Sequence, residues 1–504
     1  MANEQCAMRN FFYLCSPNER NFMTPHTILL TALLYAALLF AVAWFSGRKA
    51  DNRTFFVGGR RMAWWVVALG MIGAPMSGVS FVSVPGSVAD DAFGYLQMVA
   101  GFTAGQLVIA FVLVPLFYRL QLTSLYEYLA LRFGEAAHRT GALLFLLSKL
   151  LLTALKLLVV CRVMQLLVGD PLGIPFGVNV ALSTLIVWGF THRGGVRSVV
   201  WTDLLQTACL VGAVLVTIGA IMSHFGYSIS TLFEVMKNAP ESQVFFFEHN
   251  PLSTQTFGKM FVGGLFILVA MTGLDQDMMQ RNLSCPTARD SQRNILLTAL
   301  AQAGVITLLL TLGLLLYRYA ESVGIEASGD DLFAAVAIHG GLPLGAGILF
   351  VLGLLSSTWS TAGSALTALT TSVIHDLWPA TSRGEEEMAH LRVRIHSLLA
   401  LLIGLLVLLF AYGSSESLIH LLYRIVSLSY GPILGLFAFG LSTRRLLRKG
   451  WGVTGVCMAA PLLAHLVQQL ALRYGGYAIG YELILYNALL TYVGLLLISK
   501  RHEN

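Results

Sequence analysis

Between Ser356 and Ser372 the chain reads SSTWSTAGSALTALTTS, ten hydroxyl side chains in seventeen residues. The surrounding segment is apolar enough to lie in hydrocarbon, where a hydroxyl is costly unless it finds a partner. At helical spacing Ser357, Thr361 and Ser364 share one face, and Ser360, Ser364, Thr367 and Thr371 form an overlapping track. Small hydroxyl residues let helices pack closely, and hydroxyl and carbonyl oxygens are also the ligands that hard monovalent cations prefer. The stripe alone leaves both uses open. A second chemical feature is SKLLLTALKLLVVCR, in which Lys149 and Lys156 stand seven apart on one helical face. At a rise of about 1.5 Å per residue, Lys156 falls deep inside a hydrophobic run. A lysine there snorkels, pairs with a carboxylate, or faces a watery cavity and binds an anionic solute.

The elements that must position these groups are membrane helices. Of the 504 residues 56% are hydrophobic and 12% charged, against about 25% charged in a soluble domain. Apolar runs predict thirteen spans, at 26–46, 63–87, 95–118, 139–168, 174–191, 198–225, 257–279, 294–319, 342–376, 393–412, 417–441, 452–472 and 480–499. The first run follows a polar arm and is stopped by Arg48 and Lys49, so it reads as a retained helix. With the N-terminus outside, alternate loops carry 22 Lys and Arg residues, Arg281 among them, and the opposite loops carry 4. That asymmetry places the C-terminus in the cytoplasm. The net charge of +6 therefore reports topology, and nucleic acid is not an expected partner. Six scattered cysteines show no metal spacing, and Cys6 and Cys15 on the N-terminal arm are candidates for a disulfide if that arm is outside.

The second to sixth spans make five helices and the seventh to eleventh make five more, so the second set runs inverted relative to the first. Inverted repeats of this kind hold solute and ion near mid-membrane on interrupted helices. The partition is an extra helix at 26–46, repeats at 63–226 and 257–441, and two extra helices within 452–499. The first repeat opens with ALGMIGAPMSGVSFVSVPG, where Gly73, Pro75 and Gly78 weaken the helix and Pro85-Gly86 end it. Pro75 donates no backbone hydrogen bond, which frees carbonyls for an ion or solute. The second opens with GGLFILVAMTGLDQDMMQR, in which Asp275 and Asp277 mark either a break or the cytoplasmic end.

GGVRSVVWTDLLQ at 194–206, GLDQDMMQR at 273–281 and the hydroxyl stripe ending in HDLW identify the chain as resembling the sodium:solute symporter family. FFVGGRRMAWW and SLYEYLALRFG support the match, which spans essentially the whole chain. The resemblance implies an all-α integral membrane protein with an inverted-repeat, leucine-transporter-like core. It implies a sodium site of main-chain carbonyls at Gly73 and Met76, a carbonyl at Ser357 and the hydroxyls of Ser360 and Thr361. Sialic-acid-type members bind a second sodium, and Asp203 and Ser364 match two of its ligands. Gly363 stands where a further hydroxyl belongs, which favours one sodium per cycle. Asp203 reads equally as a carboxylate at a helix start near the cytoplasmic surface.

The proline branch of the family carries an Asp where this chain has Pro75, and the galactose branch carries Asn and Lys where Leu268 and Gln302 stand. A sugar site needs many paired polar groups that are not visible here, so hexose is disfavoured. Ser77, Ser80, Lys156, Met271 and Gln302 are the candidate substrate-site residues. Met271, Trp359 and Phe266 read foremost as packing, Arg424 as a structural partner, Glu385 to Glu387 as solvated loop charge, and His375-Asp376 as helix termination. The expected activity is sodium-driven symport of a small organic solute into the cell by alternating access, an anionic one if Lys156 contacts it. Proton coupling, sodium independence and a sensor acting with a separate partner are the alternatives. No nucleophile-base, zinc or phosphate-loop pattern points to an enzyme. The expected setting is a monomer in a lipid bilayer, the bacterial inner membrane.

Overall fold

The computed structural model describes residues 23–47, 62–122, 124–192, 195–247, 250–378, 385–412, 418–447 and 451–500. Cys6 and Cys15 lie outside the described residues, as do loop cations such as Arg48, Lys49, Arg53 and Arg193. Among the described residues, eight helices are long and apolar enough to cross a membrane alone, from Pro25–Phe45 to Gly452–Gly475. Three further candidates are pairs bent at a break, and Phe176–Thr191 and Leu483–Ile498 are shorter apolar helices. Each of the thirteen expected segments coincides with one of these. Short helices too brief to read as spans, among them Glu127–Phe133, Ile229–Asn238 and Leu332–His339, lie between them. A two-residue ladder joins Leu446–Leu447 to Ser499–Lys500.

Both expected interruptions are present. The first core helix runs Trp64–Gly73, passes through Ala74 to Ser77, and resumes as Gly78–Gly86 at a 54° bend. The second runs Phe257–Leu268, widens into a π-helical turn over Val269–Gly273, and resumes as Gln276–Asn282 at 71°. Asp275, extended at φ −100° and ψ 123°, restarts that helix by accepting a hydrogen bond from the Met278 amide with its side chain. Asp275 and Asp277 thus sit at a break and are buried. A third bend, 42° between His420–Ser429 and Gly431–Ser442, was not expected.

The hydroxyl-rich helix Leu344–Ser372 is central. Helix Gly195–Phe225 packs along it and against Trp64–Gly73, while helix Glu135–Met164 covers another side. Every hydroxyl from Ser356 to Ser372 is buried. Thr367, Thr370 and Thr371 bond to carbonyls one turn back, so that end of the stripe satisfies itself within the helix.

Helix Tyr95–Val108 lies against Phe257–Leu268 through Gly101 and Gly105, spaced as in small-residue helix pairs. A Cβ on Gly101 would stand 2.9 Å from the Leu265 nitrogen, whereas one on Gly212 would meet nothing within 4 Å. Gly101→Ala is therefore expected to destabilise by about 1–3 kcal/mol, and Gly212→Ala to leave stability unchanged or raise it. Thermal unfolding in detergent measures both, and a Gly101→Ala protein as stable as the parent would refute this packing.

Candidate functional site

At the first break the Gly73 and Met76 carbonyls turn towards helix Gly195–Phe225. The approach is close, because a Cβ on Gly73 would stand 2.7 Å from Thr207 Oγ1. Thr207 Oγ1 in turn accepts the Gly73 N–H at 3.1 Å. The preceding residue, Gln206, fully buried, donates from Nε2 to Gly73 O at 2.7 Å, to Met76 O at 3.0 Å and to Ser357 O at 3.5 Å. The three carbonyls assigned to sodium thus converge on one point. Thr361 Oγ1 adjoins them, donating to Ser357 O at 2.7 Å. Ser360 Oγ faces Asp203 Oδ1 at 2.7 Å and Thr202 Oγ1 at 3.3 Å. Gln206 escaped the reading of the sequence. Its signal was an amide three residues after Asp203 in an apolar helix.

Asp203 is 1% exposed, so it is an interior carboxylate and not a surface helix-start residue. It does not touch Ser364 directly. The side chain of Arg281 lies between them, its Nε 3.3 Å from Asp203 Oδ2 and Nη2 donating to Ser364 Oγ. Ser364 Oγ donates to Asp277 Oδ1, which is 3.1 Å from Arg281 Nη2. A guanidinium thus stands among the candidate second-site oxygens. Arg281, counted among the loop cations, is 1% exposed. Gly363 has a packing reason as well, since a Cβ there would lie 2.6 Å from Thr191 Cγ2 and 2.8 Å from Phe190 Cε2.

The cavity between the broken helices brings together all five candidate substrate residues, Ser77, Ser80, Lys156, Met271 and Gln302. Met76 and Thr361 also line it, so one wall belongs to the candidate sodium site. Ser77 Oγ is buried without a hydrogen-bond partner among the described residues, whereas Gln302 Oε1 accepts from Gln106 Nε2 at 2.9 Å. Trp359 and Phe266 are not on the wall, and Trp359 stacks on Tyr35 at 6.1 Å. Asp376 is held by Ser372 at 2.7 Å and His138 at 3.0 Å, which fits a structural helix end.

The two lysines differ in their partners. Lys149 Nζ lies 2.9 Å from Asp275 Oδ2 and 2.8 Å from Asp277 Oδ2, and the Tyr430 hydroxyl donates to Asp275 Oδ2 at 2.5 Å. Lys156, 8% exposed, has no ion-pair or hydrogen-bond partner among the described residues. Lys149→Met removes the ion-pair partner of buried Asp275 and leaves Asp277 with Arg281 alone, and is expected to cost about 3–5 kcal/mol. The double variant Lys149→Met/Asp277→Asn should recover part of that loss. Thermal unfolding in detergent reads both, and equal loss in the two would show that Lys149 acts through other groups.

The model of the sodium:solute symporter family matches residues 55–455. Human sodium-coupled monocarboxylate transporter 1 is 28% identical over 425 residues, covering 81% of this chain and 67% of the relative. The human sodium/iodide cotransporter is 26% identical over 406 residues, covering 78% and 62%. A Na+-coupled sialic acid symporter, solved in a substrate-bound outward-open state, matches with a TM-score of 0.79 at 18% identity over 94% of this chain and 99% of that one. Mhp1, a nucleobase-cation-symport-1 family transporter, matches at 0.51 with 14% identity over 88% and 93%. Both structures share the inverted-repeat architecture expected here. With a family match over most of its length on helices broken at the expected places, the chain belongs to the sodium:solute symporter family, whose members are sodium-coupled transporters and not enzymes.

Proposed function

We propose that this sodium-coupled symporter carries a small organic monocarboxylate into the cell with one sodium ion. The observation that carries this reading is Lys156, a buried lysine on the cavity wall without an ion-pair partner among the described residues. Lys149, seven residues earlier, has its carboxylates already. A solute carboxylate supplies Lys156 with the counter-charge it lacks. Ser77, with its unpartnered hydroxyl, and Ser80 in the first turn of Gly78–Gly86 supply neutral donors beside it. The monocarboxylate transporters among the relatives support the same solute chemistry.

Sodium is bound by the carbonyls of Gly73, Met76 and Ser357 with the hydroxyls of Ser360 and Thr361. Asp203 and Ser364 are engaged by Arg281, which supports a single sodium. Residues 63–226 and 257–441 act as the two inverted units. The chain works as a monomer in the bacterial inner membrane, with its N-terminus outside and its C-terminus in the cytoplasm.

Uptake of labelled monocarboxylates into proteoliposomes tests the assignment, with choline replacing sodium as the control. Lys156→Met should raise the solute KM roughly 10- to 100-fold, the equivalent of one charge-assisted hydrogen bond. Equal transport of the neutral amide of the same acid would sink the anion reading. Ser360→Ala/Thr361→Ala should raise the half-saturating sodium concentration, and unchanged sodium dependence would remove the site. One sodium with one monoanion moves no net charge. Steady-state accumulation should therefore be independent of an imposed membrane potential and first order in sodium. Accumulation that grows with inside-negative potential would mean a second sodium or a neutral solute, since each net charge gains about 2.3 kcal/mol per 100 mV.

A further inference from the structure

We infer that Lys149 is a second carboxylate station for the solute, on the exit side of Lys156, and that the Asp275 side chain holds its place when no solute is there. The inference rests on the monocarboxylate reading proposed above and adds to it a step after the central site. Three observations carry it. Lys149, Lys156, Asp275 and Tyr430 line the same cavity, whereas Asp277 is not on its wall. Lys149 Nζ lies 3.1 and 2.9 Å from the two oxygens of Asp275, the contact that a solute carboxylate would make. Asp275 itself stands in the break of the second core helix, extended at φ −100° and ψ 123°, where a 71° bend separates the two segments.

Lys149 and Lys156 are the basic residues of this wall, and both belong to helix Glu135–Met164. Seven residues of helix separate them by about 10 Å along its axis. In the proposed orientation Lys149 is the one nearer the cytoplasm. An anion that leaves Lys156 inward therefore meets Lys149 next, and finds it already bonded to a carboxylate.

A buried ammonium needs a counter-charge at every stage of a transport cycle, because a bare one is costly in a bundle surrounded by lipid. Asp277 supplies the permanent one. Its Oδ2 lies 2.8 Å from Lys149 Nζ, and its Oδ1 is held by Arg281 Nη2 at 3.1 Å. Asp275 is thus the replaceable partner. It keeps donors of its own when displaced, the Tyr430 hydroxyl at 2.5 Å and the Met278 amide at 3.2 Å. Putting the solute carboxylate in its place exchanges like for like, so neither arrangement is much deeper than the other. A path needs that balance, since each site must be favourable enough to enter and weak enough to leave. Return of Asp275 to Lys149 then displaces the solute towards the cytoplasm. Without this competitor the exposed ammonium would trap the anion.

The test compares solute affinity from the two sides, in right-side-out and inside-out membrane vesicles of cells producing the full-length protein. The probes are labelled acetate, lactate and pyruvate, with the neutral amide of each as control. Asp275→Asn keeps an oxygen for the Met278 amide and removes the competing charge. It is expected to lower the cytoplasmic-side KM at least about fivefold and to slow turnover, while the external KM stays within about twofold. Lys149→Met/Asp275→Asn removes the ammonium together with its replaceable partner and leaves Asp277 to Arg281. That variant should raise the cytoplasmic-side KM at least about threefold above the parent and again spare the external one. A purely structural pair predicts equal shifts on the two sides, or lower thermal stability with both KM values unchanged. Either result overturns the inference, and so does a cytoplasmic-side KM that is unchanged or raised in Asp275→Asn. The double variant decides alone if Asp275→Asn does not fold. The underlying reading fails separately: no sodium-dependent uptake of the three acids by the parent, or equal uptake of their amides, removes it whatever position 275 does.

Discussion

Lys149 and Arg281 hold Asp275, Asp277 and Asp203 in place inside a bundle whose solvent is lipid, and the candidate sites hang from those bonds. A buried carboxylate or guanidinium is tolerable only when paired and hydrogen-bonded, so each partner fixes the helix that bears the other. Lys149 belongs to helix Glu135–Met164, Asp275 to Arg281 to the second broken helix, Asp203 to Gly195–Phe225 and Ser364 to Leu344–Ser372. Four elements are thereby tied at one level of the bundle. Gln206 and Ser360 extend the same ties by one turn to the carbonyls of the first break.

The breaks follow from the need to present backbone oxygens where hydrocarbon forbids unsatisfied ones. Pro75 removes one N–H, and Ser77 is extended, so carbonyls leave the helical ladder at Gly73 and Met76. At the second break the π-helical turn and the capping carboxylate of Asp275 serve the same end with a charged side chain. The two breaks are related in position but not in chemistry. The first offers neutral oxygens suited to an alkali cation, and the second carries carboxylates that are already neutralised.

Hydropathy made the membrane helices legible because lipid selects for length and apolar content, which any window of sequence records. Pro75 and the hydroxyl stripe were legible for the opposite reason, being locally wrong for a plain apolar helix. What escaped was lateral position. Arg281 reads as a loop cation in the linear chain because it ends an acidic stretch, and only the 71° bend returns it to the interior. Gln206 is one ordinary amide in a motif whose visible charge is Asp203. Its significance depends on a Gly73 backbone brought within contact distance by folding. The 42° bend at Tyr430 left no hydropathy signature, and helices Ile229–Asn238 and Leu332–His339 are too short to read as spans.

Coupling between ion and solute needs a shared structural element, because each ligand shifts the other's affinity only through states that both distinguish. Here the shared element is small. In the proposed sodium site Met76 would give a carbonyl and Thr361 of Leu344–Ser372 a hydroxyl, and both residues also line the cavity. A cation held between those residues pins the broken segment Ala74–Ser77 to the hydroxyl-rich helix. That would fix Ser77 and the first turn of Gly78–Gly86, which line the cavity. The lysine that would receive the solute stands on a different helix, already anchored two turns away by Lys149. In the proposed cycle an ion would therefore tie the broken segment of the cavity wall to a wall held by buried ion pairs, and a solute that bridges the two walls would favour the same arrangement.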